Sequence, residues 1–154
     1  MKITKSKLQQ LVYKAYYTLI SEQFKNRNNT IKYIRKKLNK MLILVTGGAG
    51  FIGTNLIKKL LVKGHKILSI DDYSTGKKEN HINHKNVTYL NMDLLDIDIN
   101  NFKYKPALIY HLAAKARIQP SFKQPEEYIR VNYEGTFNMI KLAIKKNISL
   151  IYAD

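Results

Sequence analysis

The stretch VTGGAGFIGTNL at residues 45–56 decides the predicted fold of this chain. Three of its four glycines, Gly47, Gly50 and Gly53, follow a regular spacing between an apolar run typical of a buried strand and an amphipathic run typical of a helix. In such a strand–turn–helix unit, Gly47 allows a sharp reversal, Gly50 lets a pyrophosphate approach the backbone and Gly53 allows close packing. The free N–H groups and partial positive charge of the helix N-terminus favour an anionic ligand there.

From Met41 onward, runs typical of strands alternate with runs typical of helices. Five strands are predicted in MLILVT, HKILSID, NVTYLNMD, PALIYHLAA and ISLIYA, which are residues 41–46, 65–71, 86–93, 106–114 and 148–153. This alternation predicts an α/β fold with a doubly wound parallel sheet, Rossmann-like, of about five strands. Because the last apolar strand has no successor, we expect the sheet to be incomplete at the C-terminus.

The helices are predicted between these strands, over residues 51–64, about 94–102 and 124–147. Gly64 stands where a helix C-cap is expected. In the last helix Pro125 and two glutamates suit the first turn, and Lys145 and Lys146 suit the negative end.

The basic charge of the chain is concentrated in its first 40 residues. The formal net charge is +16, of which residues 1–40 contribute +10, from 11 Lys and Arg against Glu22 alone. Apolar residues at helical spacing, from Leu8 to Phe24, predict a basic helical or disordered extension. The first interpretation of this extension is a solvated leader. The two alternatives are a targeting or membrane-surface helix and an arm that binds nucleic acid or a partner. We therefore divide the chain into an extension, 1–40, and a dinucleotide-binding domain, 41–154.

Composition excludes several classes of protein. The chain has no cysteine, which removes disulfides, thiolate metal sites and a cysteine nucleophile. No apolar run approaches 18 residues, and the N-terminus lacks a secretory signal, so a cytoplasmic setting is expected. His81 and His84 offer two metal ligands without a completing carboxylate, so no metal site is predicted.

A carboxylate at the end of the second predicted strand indicates which dinucleotide is preferred. Asp71 lies 18 residues beyond Gly53, where it can accept both hydrogen bonds from the diol of an adenosine ribose. Its charge would repel a 2′-phosphate by up to about 4 kcal/mol at about 4 Å and an effective dielectric constant of about 20. The sequence therefore favours NAD over NADP. A plain loop aspartate in DDYSTG is the alternative.

Short motifs along the body resemble one family. They are TGGAGFIG, the DD after the second strand, MDL after the third, HLAA after the fourth and VNYEGT in the long helix. In this order they resemble the extended short-chain dehydrogenase/reductase family, the NAD-dependent nucleotide-sugar epimerases and dehydratases. The resemblance covers residues 41–154. It implies a nucleotide-sugar substrate in the complete enzyme, a homodimer in some members, and no role in binding nucleic acid.

The resemblance also implies which residues contact NAD. The glycine motif would lie against the pyrophosphate, Asp71 and Asp72 would hold the adenosine ribose, and Asp93 and Leu94 would flank the adenine. The residues after the fourth strand would line the centre of the cofactor, supported from the long helix. The whole set is Gly47, Gly50, Phe51, Ile52, Gly53, Asp71, Asp72, Asp93, Leu94, Leu112, Ala113, Ala114, Lys115 and Asn132.

The residues for proton transfer are missing from these 154 residues. Family members use a Tyr-x-x-x-Lys pair on the helix after the fifth strand, with a Ser or Thr just past that strand, and here ISLIYA is followed only by Asp154. Two other matches, Tyr33–Lys37 and Tyr73–Lys77, lie far from the expected position and are interpreted as chance. No catalytic residue is named, and the sequence is interpreted as the cofactor-binding part of a longer enzyme, inactive by itself. A non-catalytic dinucleotide-binding module, or degenerate fragment, is the alternative.

Overall fold

A five-stranded parallel sheet forms the centre of the computed structural model, which describes residues 41–153. Its order is β3-β2-β1-β4-β5, and every neighbouring pair is parallel. The strands are β1 (Leu42–Thr46), β2 (Lys66–Asp71), β3 (Val87–Asn91), β4 (Leu108–His111) and β5 (Ser149–Tyr152). The predicted parallel, Rossmann-like sheet of five strands is confirmed.

The helices connect these strands as the alternating pattern predicts. They are α1 (Phe51–Val62), α2 (Ile118–Ser121), α3 (Pro125–Ile129) and α4 (Gly135–Lys146), with 3₁₀ turns at Lys78–Asn80 and Leu94–Asp96. The short helix α2 was not predicted from the sequence. Within residues 41–153, no helix combines the length and the apolar character needed to cross a bilayer.

Both faces of the sheet are covered, which explains the continuous apolar runs of β1 and β2. Successive side chains of a strand point to opposite faces. Accordingly, Ile43 and Val45 pack with Ile57 of α1, whereas Leu44 packs with Met139 and Leu142 of α4. The first helix and the last therefore cover opposite faces of the same central strands.

The helix predicted over about 94–102 is wrong, because only one 3₁₀ turn, Leu94–Asp96, forms there. Two aspartates bind local backbone N–H groups and favour turns over a helix. Asp93 accepts from Leu95 N at 3.0 Å, and Asp98 accepts from Asn100 N at 2.8 Å and from Asn101 N at 3.0 Å. The apolar side chains between these turns, such as Ile97, still pack into the core.

The long predicted helix forms, but a π-helical turn interrupts it. Residues 125–146 run as α3, a π turn at Arg130–Glu134 and α4. Pro125 stands in the first turn with two glutamates, as predicted. Lys145 and Lys146 stand in the last turn, which is followed by Asn147 in the left-handed conformation (φ 53°). The π turn adds a local widening that no sequence pattern predicted.

The predicted limits of the other elements hold closely. Gly64 follows α1 with φ +85°, as expected of a glycine after a helix end, and its N–H bonds Leu61 O at 2.8 Å. β5 pairs on one side with β4 and forms an edge of the described sheet, with Ile151 and Tyr152 half exposed. The predictions about the extension, 1–40, including the Tyr33–Lys37 match, lie outside the described residues.

Candidate functional site

An open cleft of about 260 Å³ lies at the carboxyl ends of the central strands. The chain leaves β1 toward β2 on one side, and it returns across the sheet to β4 on the other side. In open parallel sheets, ligands bind in the crevice where the strand order reverses in this way. Here the crevice is bounded by the glycine loop (Gly47–Gly50) after β1 and by the residues that follow β4.

The glycine loop packs so tightly that a side chain has no room at Gly47 in the loop or at Gly53 in the first turn of α1. Gly47 adopts φ +68°, and a Cβ there would lie 2.8 Å from Ala113 N. A Cβ at Gly53 would lie 2.1 Å from the Gly47 carbonyl oxygen, which identifies its close-packing partner as the loop itself. Both contacts involve backbone atoms, which cannot rotate away as a side chain can. These glycines are therefore required by space, and Gly47 also by its backbone conformation.

The N-terminus of α1 opens at this cleft without a capping side chain. Gly50 is its N-cap residue, and no side chain within residues 41–153 bonds the first N–H groups. Thr54 N is the first to bond back, to Gly50 O at 2.9 Å. Phe51 and Ile52 line the cleft and are largely exposed. The uncapped N–H groups and the helix dipole suit a phosphate group.

Asp71 is nearly buried at the end of β2, yet half of its accepting capacity remains. One carboxylate oxygen accepts from Ala49 N at 2.9 Å and the other accepts from Tyr73 N at 2.9 Å. Two oxygens offer about four acceptor positions. Because this residue also lines the cleft, the remaining positions suit a pair of hydroxyl donors.

The two other predicted carboxylates are each engaged by a neighbour. Asp72 accepts from Ser74 N at 2.9 Å and from Ser74 Oγ at 2.8 Å, which makes it a turn-forming residue. Asp93 accepts from Arg130 Nη1 at 3.0 Å and thereby ties the π turn to the end of β3. Both residues line the cleft next to the 3₁₀ turn that begins at Leu94.

Asn132 holds the segment after β4 in place through two hydrogen bonds to the backbone of Lys115. Its Oδ1 accepts from Lys115 N at 2.7 Å, and its Nδ2 donates to Lys115 O at 3.0 Å. Lys115 also forms an ion pair with Glu127. Asn132 stands in the π turn, and such turns occur frequently at functional sites. Its role in the predicted set, support from the long helix, matches this position, although Asn132 itself does not line the cleft.

A buried histidine links the ends of β1 and β4. His111 Nδ1 lies 2.7 Å from Thr46 Oγ1, and His111 Nε2 lies 2.8 Å from Thr136 Oγ1 of α4. Thr46 Oγ1 also accepts from the N–H groups of Leu112 and Ala113, each at 3.2 Å. Desolvation lowers the pKa of His111 from its ordinary value of 6.5 to about 4. His111 is therefore a packed residue at the end of β4, and it is neutral near pH 7.

The structure brings most of the predicted site residues to one cleft. Thirteen of the fourteen line it: Gly47, Gly50, Phe51, Ile52, Gly53, Asp71, Asp72, Asp93, Leu94, Leu112, Ala113, Ala114 and Lys115. Sequence reasoning missed the other lining residues, which are Ile70, Ser74, Thr75, Gly76, Met92 and Val131. All six lie within stretches quoted in the sequence analysis, and in DDYSTG only the two aspartates were assigned to the site.

In the Tyr73–Lys77 match, the pKa of the tyrosine is shifted away from the range that suits a proton acceptor. Desolvation, followed by the charge of Asp71, raises the pKa of Tyr73. Its hydroxyl lies 2.8 Å from His81 Nε2 in the loop after β2.

Within residues 41–153, no group of three or more His, Cys, Asp or Glu side chains is arranged to hold a metal ion.

This chain belongs to the NAD dependent epimerase/dehydratase family, whose model matches residues 43–154. The family recognised from the sequence motifs is thereby confirmed, and NAD is the cofactor that the family depends on. Because the match begins in β1 and ends after β5, it spans the whole sheet described above.

Individual relatives are enzymes of nucleotide sugars. UDP-glucuronic acid decarboxylase 1 of Xenopus tropicalis is 32% identical over 140 residues, which cover 87% of this chain and 31% of that protein. UDP-glucose 4-epimerase of Mycolicibacterium smegmatis is 36% identical over 108 residues, which cover 67% of this chain and 34% of that protein. The chain spans about a third of the length of these curated relatives.

Solved structures share the fold at a similar level. An epimerase from Methanothermobacter thermautotrophicus matches with a TM-score of 0.72 and 28% identity, over 82% of this chain and 39% of that chain. The Bordetella bronchiseptica enzyme WbmG, in complex with NAD and UDP, matches with a TM-score of 0.68 and 33% identity, over 75% of this chain and 38% of that chain.

Proposed function

We propose that this chain binds NAD in the cleft at the carboxyl ends of β1 and β4, as the cofactor-binding part of a nucleotide-sugar epimerase or dehydratase. One observation carries the proposal. A nearly buried carboxylate, Asp71, is held by two backbone N–H groups and keeps capacity for two further donors, beside a glycine loop and an uncapped helix N-terminus. A ribose diol next to a pyrophosphate supplies the matching groups.

The residues of the cleft fit each part of this cofactor. Gly47, Gly50 and Gly53, with Phe51 and Ile52, would receive the pyrophosphate, because the single side chain of the loop, the methyl group of Ala49, is buried. Asp71 would hold the adenosine ribose, with Asp72 shaping the turn beside it. Asp93 and Leu94 would flank the adenine. The centre of the cofactor would lie along Leu112, Ala113, Ala114 and Lys115, and Asn132 would keep that segment in place.

Bound NAD supplies a hydride acceptor for a sugar carbon. A nucleotide sugar is the substrate class that the family membership and the named relatives support. For this chain, the carboxyl ends of the strands would position the cofactor, and the hydrogen bonds between Asn132 and Lys115 fix the backbone against which the centre of the cofactor would lie.

The preference for NAD over NADP tests this proposal directly. The wild-type chain should bind NAD at least tenfold more tightly than NADP, since a 2′-phosphate would be placed against the Asp71 carboxylate. Isothermal titration with both dinucleotides measures the preference. Asp71→Ala should reduce this preference for NAD. Asp98→Asn, which removes an exposed carboxylate that does not line the cleft, should leave the preference within about twofold. Equal affinity of the wild type for the two dinucleotides would contradict the proposal.

A polypeptide of these 154 residues should bind NAD without converting a sugar. General-base help of roughly 10²–10⁴-fold requires a positioned proton acceptor, and the raised pKa of Tyr73 makes it a poor one. The measurement is incubation with NAD and a panel of UDP-, GDP- and dTDP-sugars, followed by NADH absorbance and mass spectrometry of the sugars. Turnover that disappears in Tyr33→Phe or Tyr73→Phe would overturn this part of the proposal.

A further inference from the structure

Ala49, in the middle of the glycine loop, has its backbone N–H bonded to the end of β2 and its carbonyl oxygen bonded to the segment that follows β2. Its N–H donates to Asp71 Oδ2 at 2.9 Å. Its carbonyl oxygen accepts from Asn80 Nδ2 at 2.7 Å and from Lys77 N at 3.3 Å. Ala49 is completely buried. The position of the glycine loop is therefore coupled to residues that lie some 30 positions later in the chain.

Gly76, in the same later segment, also lies against Ala49. A Cβ at Gly76 would lie 2.9 Å from Ala49 Cβ and 2.9 Å from Asp71 Oδ1. Its backbone is not in the left-handed region, so space rather than conformation requires a glycine. Any side chain at this position would push the segment and the glycine loop apart.

The segment 72–80 is ordered by its own contacts before it reaches Ala49. Tyr73 is held at φ +58°, with its N–H on Asp71 and its hydroxyl 2.8 Å from His81 Nε2. The His81 ring stacks on Tyr89 of β3, with centroids 3.8 Å apart. Anchors thus stand at both ends of the segment. Because both ends of the segment are anchored, the hydrogen bond from the Asn80 side chain to Ala49 O costs little conformational entropy, even though Asn80 is an exposed residue.

From these contacts we propose that Asn80 and Gly76 are positioning residues for the pyrophosphate end of the dinucleotide, and that they act through the peptide group of Ala49. That peptide joins Ala49 to Gly50, the N-cap of α1, so its orientation sets where the first N–H groups of the helix stand. The inference rests on the proposed binding of NAD. It adds Gly76 and Asn80 to a site in which Asp72 was the only residue of the 72–80 segment expected to take part.

The test compares Asn80→Leu with Asn83→Leu in the full chain. Leucine has a similar size to asparagine, carries no charge and cannot donate to Ala49 O. Asn83 is a matched control, because it is exposed on the same connection and its side chain forms no hydrogen bond within the described residues. Gly76→Ala serves as a second, independent perturbation of the same contact. The ligands are NAD and ADP-ribose, which contain the pyrophosphate, and adenosine, which does not.

Asn80→Leu should weaken the affinity for NAD and for ADP-ribose about three- to tenfold, which is the change in affinity that one neutral hydrogen bond accounts for. Its affinity for adenosine should change less than twofold, and Asn83→Leu should match the wild type throughout. Amide hydrogen exchange in residues 47–51 of the ligand-free protein should rise in Asn80→Leu and Gly76→Ala, but not in Asn83→Leu. This second measurement does not depend on the cofactor.

The outcomes separate this inference from the proposed function. If the wild type binds NAD and Asn80→Leu binds it equally well, Asn80 has no positioning role, and the proposed function stands. An equal loss for adenosine and for ADP-ribose would show a general effect on folding and would also overturn the inference. A wild type that binds no NAD would overturn both.

Discussion

Lowering the pH from 8 to 5 is expected to destabilise the fold through His111. Thr46 Oγ1 accepts from the N–H groups of Leu112 and Ala113, which fills both acceptor positions of a hydroxyl. Its single hydrogen is then free to donate to His111 Nδ1, and His111 Nε2–H donates to Thr136 Oγ1. A proton added at Nδ1 finds no acceptor, and the fully buried ring is kept from water.

The magnitude follows from the two pKa values of this group. Desolvation lowers the pKa of His111 in the fold to about 4, against an ordinary value of 6.5. The neutral form stabilises the fold fully above pH 6.5, and this contribution is lost as the pH falls toward 4. The loss of free energy of unfolding is about 2 kcal/mol at pH 5 and about 3 kcal/mol at pH 4.

Urea unfolding of the wild type and of His111→Gln at pH 8, 6 and 5 measures this effect. The variant is expected to be less stable at pH 8, but its stability should fall less between pH 8 and pH 5, by about 2 kcal/mol. The pKa of His65 is also lowered, by desolvation and by Lys63, but that effect is common to both proteins and cancels in the comparison. Parallel pH profiles for the two proteins would refute the assignment.

Two further predictions concern the glycine loop and the extension. Gly53→Ala should cost about 2 kcal/mol of folding stability or more, because its Cβ would lie 2.1 Å from the Gly47 carbonyl oxygen. A Cβ at Gly50 would lie 3.3 Å from its nearest neighbour, so Gly50→Ala should lower the free energy of unfolding in urea by less than about 1 kcal/mol. It should still weaken the affinity for NAD in isothermal titration. A larger loss of stability in Gly50→Ala than in Gly53→Ala would contradict the argument from space. A polypeptide of residues 41–154 should unfold as cooperatively as the full chain when followed by circular dichroism, and a loss of cooperativity would make the extension structural.

Much of the fold could be predicted because its local and global signals agree. Continuous apolar runs such as MLILVT identify strands covered on both faces, and Pro125 and Gly64 mark helix limits through their backbone chemistry. The helix expected over about 94–102 failed for a local reason, since Asp93 and Asp98 bond nearby N–H groups. A spacing of apolar residues cannot reveal that competition.

Parts of the candidate site could be predicted where the type of a single residue at a known place in the fold already indicates which ligand group it suits. Glycines in a strand–helix turn and a carboxylate at the end of β2 are such cases. The contacts of Asn80 and Gly76 with Ala49 could not be predicted, because they join segments about 30 residues apart through backbone atoms. The placement of Asn132 depended on the resemblance, since the π turn that carries it left no pattern in the sequence.

The π turn at Arg130–Glu134 has a consequence for insertions and deletions. Each residue of an α-helix advances the chain by about 100° around the axis and about 1.5 Å along it. Deleting one residue to restore α-helical bonding would therefore rotate Asn132 by about 100° relative to Met139 and Leu142, which are buried against the sheet. Asn132 could then no longer bond Lys115 while the buried face of α4 packs against the sheet. Along this helix, a change in residue number should be tolerated far less well than a change in residue type.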